Sequence, residues 1–177
     1  VAARFGTVRA QTQPALGAAT RASDLLVLGA DLVPLWDQGL ARALILGEGA
    51  GGLLLLERRV RPCLGVSILY GDPDDDIALE LAASMARGFA TTLTVMILGR
   101  SRAQAEELQA HTLDRLGRAT APRVKFLAAS RIGQAMETPA GHLLVVPESW
   151  GKTVFEELVA PTYSPRRSML LLRGGRD

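Results

Sequence analysis

The chain has 177 residues, 48% of them hydrophobic and 21% charged. That is enough for one large or one and a half small α/β domains with a proper core. Net charge is only +2 despite twenty basic residues, the aromatic content is 5%, and there is one cysteine, Cys63. These values exclude a basic nucleic-acid surface, a base-stacking platform, an internal disulfide and a thiolate metal cluster. No apolar run is long enough to span a bilayer, because Leu40 to Leu56 is interrupted by Arg42, Glu48 and several glycines.

In chain order, residues 4–10, 25–28 and 53–56 read as short strands in the first third. A regular alternation follows. Leu64–Tyr70 is an apolar run suited to a buried strand. "GDPDDDIALELAASMARG" carries Ile77, Leu81, Ser84 and Met85 at helical spacing, and Gly88 is expected to stop that helix. Thr92–Leu98 is a β-branched strand. Ser101 and Gln104 form a capping-box pattern for a helix that Gly117 ends. Strands at 124–128, 142–146 and 169–172, with helices over 131–137 and 153–159, complete the series. Strands separated by single helices pair in parallel through right-handed crossovers, giving a flavodoxin-like doubly wound α/β sheet. Cys63, just before a strand, reads as strand-edge packing.

The first sixty residues repeat part of this series. "DLLVLGAD" (24–31) matches "HLLVVPES" (142–149), "GGLLLLER" (51–58) matches "SMLLLRGG" (168–175), and "FGTVRAQ" (5–11) stands where "VKFLAAS" (124–130) does. The separations are nearly equal, which indicates an internal duplication. The expected organisation is a partial repeat over 1–60, running from its third to its fifth strand, and a complete copy over 61–177. Without its first strand, the partial copy leaves strand 25–28 with a bare edge. A second chain completing that repeat is one expected partner.

The order of elements, the "YGDPDDDIALELAASMARGFATTLTVMIL" opening and the "ASDLLVLGAD" and "HLLVVPES" stretches resemble the universal stress protein family. The resemblance covers 64–173, and more loosely 4–57. It implies a regulatory module in stress response, a cytoplasmic location, free or tethered to a transporter or sensor, and dimers joined through fifth strands. Here strands 53–56 and 169–172 would meet within one chain. ATP-binding members carry Gly-x2-Gly-x9-Gly-Ser/Thr after the fourth strand. Neither copy does, since the second reads "PESWGKTVFEELVAPTYSPRRS". The acidic residue that the family places at the end of strand one is replaced by Tyr70, with Asp72 two positions on. The expectation is therefore a non-catalytic interaction module with no cofactor.

The alternative is a sensor of ATP or another adenine nucleotide using the strand-end crevice. Gly71, Asp72, Gly99, Gly151, Lys152 and Thr153 would line it. "WGKT" (150–153) lacks the first glycine of a phosphate loop, and Pro147 and Glu148 oppose an amide nest for an anion. Gly151–Thr153 is expected to open a helix, with Thr153 as its N-cap in preference to an anion site. Asp72, Asp74 and Asp76 have the spacing of a calcium loop's start, but Ile77 and Ala83 stand where its glycine and glutamate belong. These acids read instead as complements to a helix dipole. Ser101 is a cap and not a nucleophile, neither His111 nor His142 points to a triad, and Trp36 and Trp150 are expected to be packing anchors.

Overall fold

A computed structural model describes residues 25–29, 51–56, 62–99, 101–117, 124–128, 132–133, 141–158 and 168–172. The expected strand at 4–10, Trp36, and all but two residues of the expected helix at 131–137 lie outside them. In chain order the elements are β1 (Leu25–Gly29), β2 (Gly52–Leu56), β3 (Gly65–Tyr70), a 3-10 turn (Pro73–Asp75), α1 (Asp76–Gly88), β4 (Thr92–Ile97), α2 (Arg102–Leu116), β5 (Val124–Ala128), β6 (His142–Val146), α3 (Glu148–Leu158) and β7 (Met169–Leu172).

The strands form one sheet in the order β1-β2-β7-β6-β3-β4-β5. Every pairing is parallel except β2–β7, which is antiparallel, with Leu53 opposite Leu171 and Leu55 opposite Met169. β3 to β7 are a flavodoxin-like doubly wound unit. β3 is central, β4 and β5 extend to one side, and β6 and β7 to the other. β1 and β2 form a parallel pair, as β6 and β7 do, and the two pairs meet back to back at β2 and β7. That junction uses both fifth-strand edges within one chain, β2 lying between β1 and β7 and β7 between β2 and β6. The fifth-strand self-association that the family resemblance suggests therefore has no free edge to use.

Aliphatic residues alternate between the two faces, as period-two geometry requires. One face gathers Val66, Ile68, Tyr70, Leu93, Val95 and Val145 under the alanine-rich side of α1 (Ala78, Leu79, Ala82, Ala83, Ala86) and Leu108 of α2. The other gathers Leu53, Leu55, Leu69, Met96, Leu144, Val146, Met169 and Leu171 under Val154 of α3, with Ile132. Small residues on α1 let the helix approach the sheet closely. Each fully buried aliphatic side chain contributes about 1.5–3 kcal/mol.

Helix ends follow local chemistry. Ser101 Oγ accepts from the Gln104 amide at 3.2 Å, and Gly117, at φ 72°, closes α2. α1 ends at Gly88, as expected, but the turn out of the helix is made two residues later. Ala90 takes the left-handed conformation at φ 53°, donating to Arg87 O (3.0 Å), while the Thr91 amide donates to Ala86 O (2.9 Å). That is a Schellman ending with alanine where glycine is favoured. Ala90→Gly relieves the Cβ crowding and is expected to add about 0.5–1 kcal/mol of stability, read as a raised urea midpoint at unchanged m.

Candidate functional site

In a doubly wound sheet, ligands gather where neighbouring strands run off in opposite directions, at the carboxyl ends. Here that point lies between β3 and β6, where the chain leaves the sheet at Gly71 and at Pro147. The crevice is filled by the protein itself. Trp150, in the first turn of α3, lays its indole against Gly71, where an added Cβ would sit 2.4 Å from a ring carbon. Only glycine allows that approach.

Asp75 holds the arrangement together. It is 3% exposed and ends the 3-10 turn. Its carboxylate accepts from Ser149 Oγ at 2.6 Å, from Trp150 Nε1 at 3.2 Å and from the Gly71 amide at 3.3 Å. The turn after β3 is thus fastened to the start of α3. Burial raises the carboxyl's pKa above the ordinary carboxylate value, and the three donated hydrogen bonds only partly oppose it.

A second cluster sits on the opposite face. Tyr70, fully buried, donates its hydroxyl to Asp76 Oδ1 at 2.7 Å. Asp76 is also met by His111 Nε2 at 3.1 Å and Arg115 Nε at 3.4 Å, and Arg115 reaches Glu80 at 2.8 Å. The His111 ring lies parallel to Tyr70 with centroids 6.5 Å apart. Burial, then the hydrogen bond to Asp76, raises the phenol's pKa far above its ordinary value, so Tyr70 stays a neutral donor. The cluster fixes α2 onto α1.

The residues expected to line a nucleotide crevice are only partly brought together. Gly71 lies beneath Trp150. Asp72 caps its own turn, accepting from the Asp74 amide at 3.0 Å. Gly99, at the end of β4, packs near Ala105. α3 begins at Glu148, five residues before the expected cap, with the Trp150 amide already donating to Pro147 O (3.1 Å). Gly151 is consequently buried inside the helix, Lys152 and Thr153 are exposed on it, and Thr153 is not an N-cap. Their amides lie beyond the first turn, where helical hydrogen bonding uses them. The leading amides fall at 148 and 149, beside the acid of Glu148 itself.

The other candidates resolve as follows. The aspartates of "GDPDDD" diverge, Asp72 to its turn, Asp75 inward and Asp76 to the Tyr70 cluster. No group of three or more His, Cys, Asp or Glu among the described residues could hold a metal ion. Ser101 is a cap, His111 pairs with Asp76, and His142 Nδ1 lies 3.1 Å from the buried Ser67 Oγ, its ring over Gly65. Cys63 is half-buried and donates to Gly65 O at 3.2 Å. Sequence reasoning missed both the Asp75 latch and the Tyr70–Asp76–His111–Arg115 cluster. Tyr70 carried a signal, a polar side chain at the end of an apolar strand, whereas Asp75, amid the acidic run 72–76, carried none.

No family model and no curated protein matches the chain. Among solved structures it is similar to the cytoplasmic domain of a prokaryotic cation chloride cotransporter, at 16% identity and a TM-score of 0.52, over 93% of this chain and 69% of that one. At that identity the likeness shows a shared α/β fold. Among the described residues no helix is long and apolar enough to cross a membrane.

Proposed function

We propose that the chain is a non-catalytic regulatory or interaction module, related to universal stress proteins and carried on the cytoplasmic side of a larger transporter or sensor. Its fold likeness to a transporter's cytoplasmic domain supports the setting. The observation that carries the reading is the switch-point crevice filled by Trp150 and latched by Asp75. A nucleotide entering there would have to displace the indole and break the hydrogen bond from Trp150 Nε1 to the buried Asp75 carboxylate. The module acts instead through its surfaces, binding protein partners and requiring no cofactor.

The test is thermal unfolding with ATP, AMP and cyclic dinucleotides, with and without magnesium. A ligand at a hundred times its dissociation constant would add about 2.7 kcal/mol, roughly 5–10 °C for a chain of this size. No shift is expected with any of them. A shift that Lys152→Ala abolishes would establish the adenine-nucleotide sensor instead, with Gly71, Asp72, Gly99, Gly151, Lys152 and Thr153 about the opened crevice.

A further inference from the structure

The duplication lets one half of the sheet report what the other half lacks. β1 and β6 are counterparts, "LLV" at 25–27 matching "LLV" at 143–145. Leu143 is 9% exposed and Val145 is fully buried, whereas Leu25 is 53% exposed and Val27 48%. The side chains are the same; what differs is their cover. β6 is paired on its outer side by β3, in parallel, with Val66 opposite Leu143 and Ile68 opposite Val145. α1, which follows β3, then lies over Val145. Among the described residues β1 ends the sheet and is paired only with β2.

Because β2 and β7 are antiparallel neighbours, the two halves are related by an approximate two-fold axis through the sheet, which keeps each face on its own side. Leu25 and Val27 therefore belong to the face that α1 covers in the complete half. An apolar groove of about 250 Å³ opens beside them, lined by Leu54, Leu56, Leu170, Met85 and Phe89.

From this we infer that the β1 edge is a docking site for a partner's strand–helix unit of β3–α1 type, which none of the described residues supplies. Its strand adds parallel to β1 in the register that β3 takes on β6. Its helix lays an alanine-rich face over Leu25 and Val27 and closes the open side of the groove. The required chemistry is a short aliphatic strand followed by a helix with small residues at i, i+4 and i+8, as Ala78, Ala82 and Ala86 stand in α1. An unpaired row of backbone groups flanked by half-exposed aliphatics is what such strand addition satisfies. The inference deepens the interaction-module reading by naming the partner, but its readout needs no nucleotide and so can fail independently.

The probe is a copy of residues 62–91, which includes β3 and α1, fused ahead of Val1 through a Gly/Ser linker. Hydrogen exchange is followed at the outward amides of β1, with and without Val27→Asp. The fusion is expected to slow exchange at Leu25–Gly29 about tenfold or more, and Val27→Asp to abolish that protection. In the unfused chain, Val27→Asp should leave both the urea midpoint and β1 exchange nearly unchanged, which separates docking from a folding defect. Three results would overturn the inference: β1 amides in the unfused chain already as protected as those of β6, no added protection in the fusion, or sedimentation showing an unfused dimer that Val27→Asp dissociates.

Discussion

Replacing Asp75 by alanine is expected to destabilise the chain by about 2–5 kcal/mol and to expose Trp150. The carboxylate is the shared acceptor of the Ser149, Trp150 and Gly71 donors, and each buried donor left unpaired costs about 1–3 kcal/mol. Asp75→Asn separates charge from hydrogen bonding. The amide oxygen can take the Gly71 and Trp150 donors while its NH2 group donates to Ser149 Oγ, so stability should stay within about 1 kcal/mol of the parent. The two variants also differ in their pH profiles. The folded-state pKa of Asp75 lies above its unfolded value, so the folded chain holds more protons between the two. The Asp75 contribution to stability therefore falls as pH rises from about 3.9 through the raised value, and is flat beyond it. Asp75→Asn removes that slope. Urea titrations across acidic pH, and Trp150 emission in a Trp36→Phe background, would check both points. An alanine variant with unchanged midpoint and emission would show that the latch holds nothing.

The second large effect is expected at the β2–β7 junction. Leu53 and Leu171 face each other across it, exposed by 0% and 2%. Leu53→Ala and Leu171→Ala should each cost about 2–5 kcal/mol through lost transfer energy and the cavity left behind. Because they are direct neighbours, the double variant should depart from additivity by roughly 0.5–3 kcal/mol. Additive losses would mean that the two halves of the sheet do not pack against each other there. Equilibrium unfolding by circular dichroism measures all three.

The strands were legible because each is a short aliphatic or β-branched run between helical stretches, and burial on both faces requires such runs. β3, β4, β6 and β7 fall within two residues of their expected bounds. The matching "GGLLLLER" and "SMLLLRGG" segments pointed to the contact between β2 and β7, since two equivalent apolar edges satisfy one another. Helix limits were less legible. The α3 start was hidden because Thr153 resembles a cap, while Pro147 ahead of Glu148 sets the true one. The end of α1 at Gly88 was legible, but the turn out of it uses Ala90 in a conformation that its side chain disfavours. The site itself was least legible. Asp75 meets Ser149 and Trp150 across more than seventy residues, and no local spacing encodes that meeting. In the sequence alone Asp75 was one of three consecutive aspartates with nothing to mark it as the buried one.

The antiparallel seam also governs how the chain must assemble. Within the β3–β7 unit each crossover joins strands close in sequence, but β2 and β7 bring residue 53 to residue 171. Closing so long a loop is entropically expensive and is repaid only after β7 has a sheet to sit in. The complete half is thus the template, and β1 and β2 add last and leave first. Early in synthesis they have no surface to rest on, so newly made β1 and β2 remain uncovered until the final strand emerges.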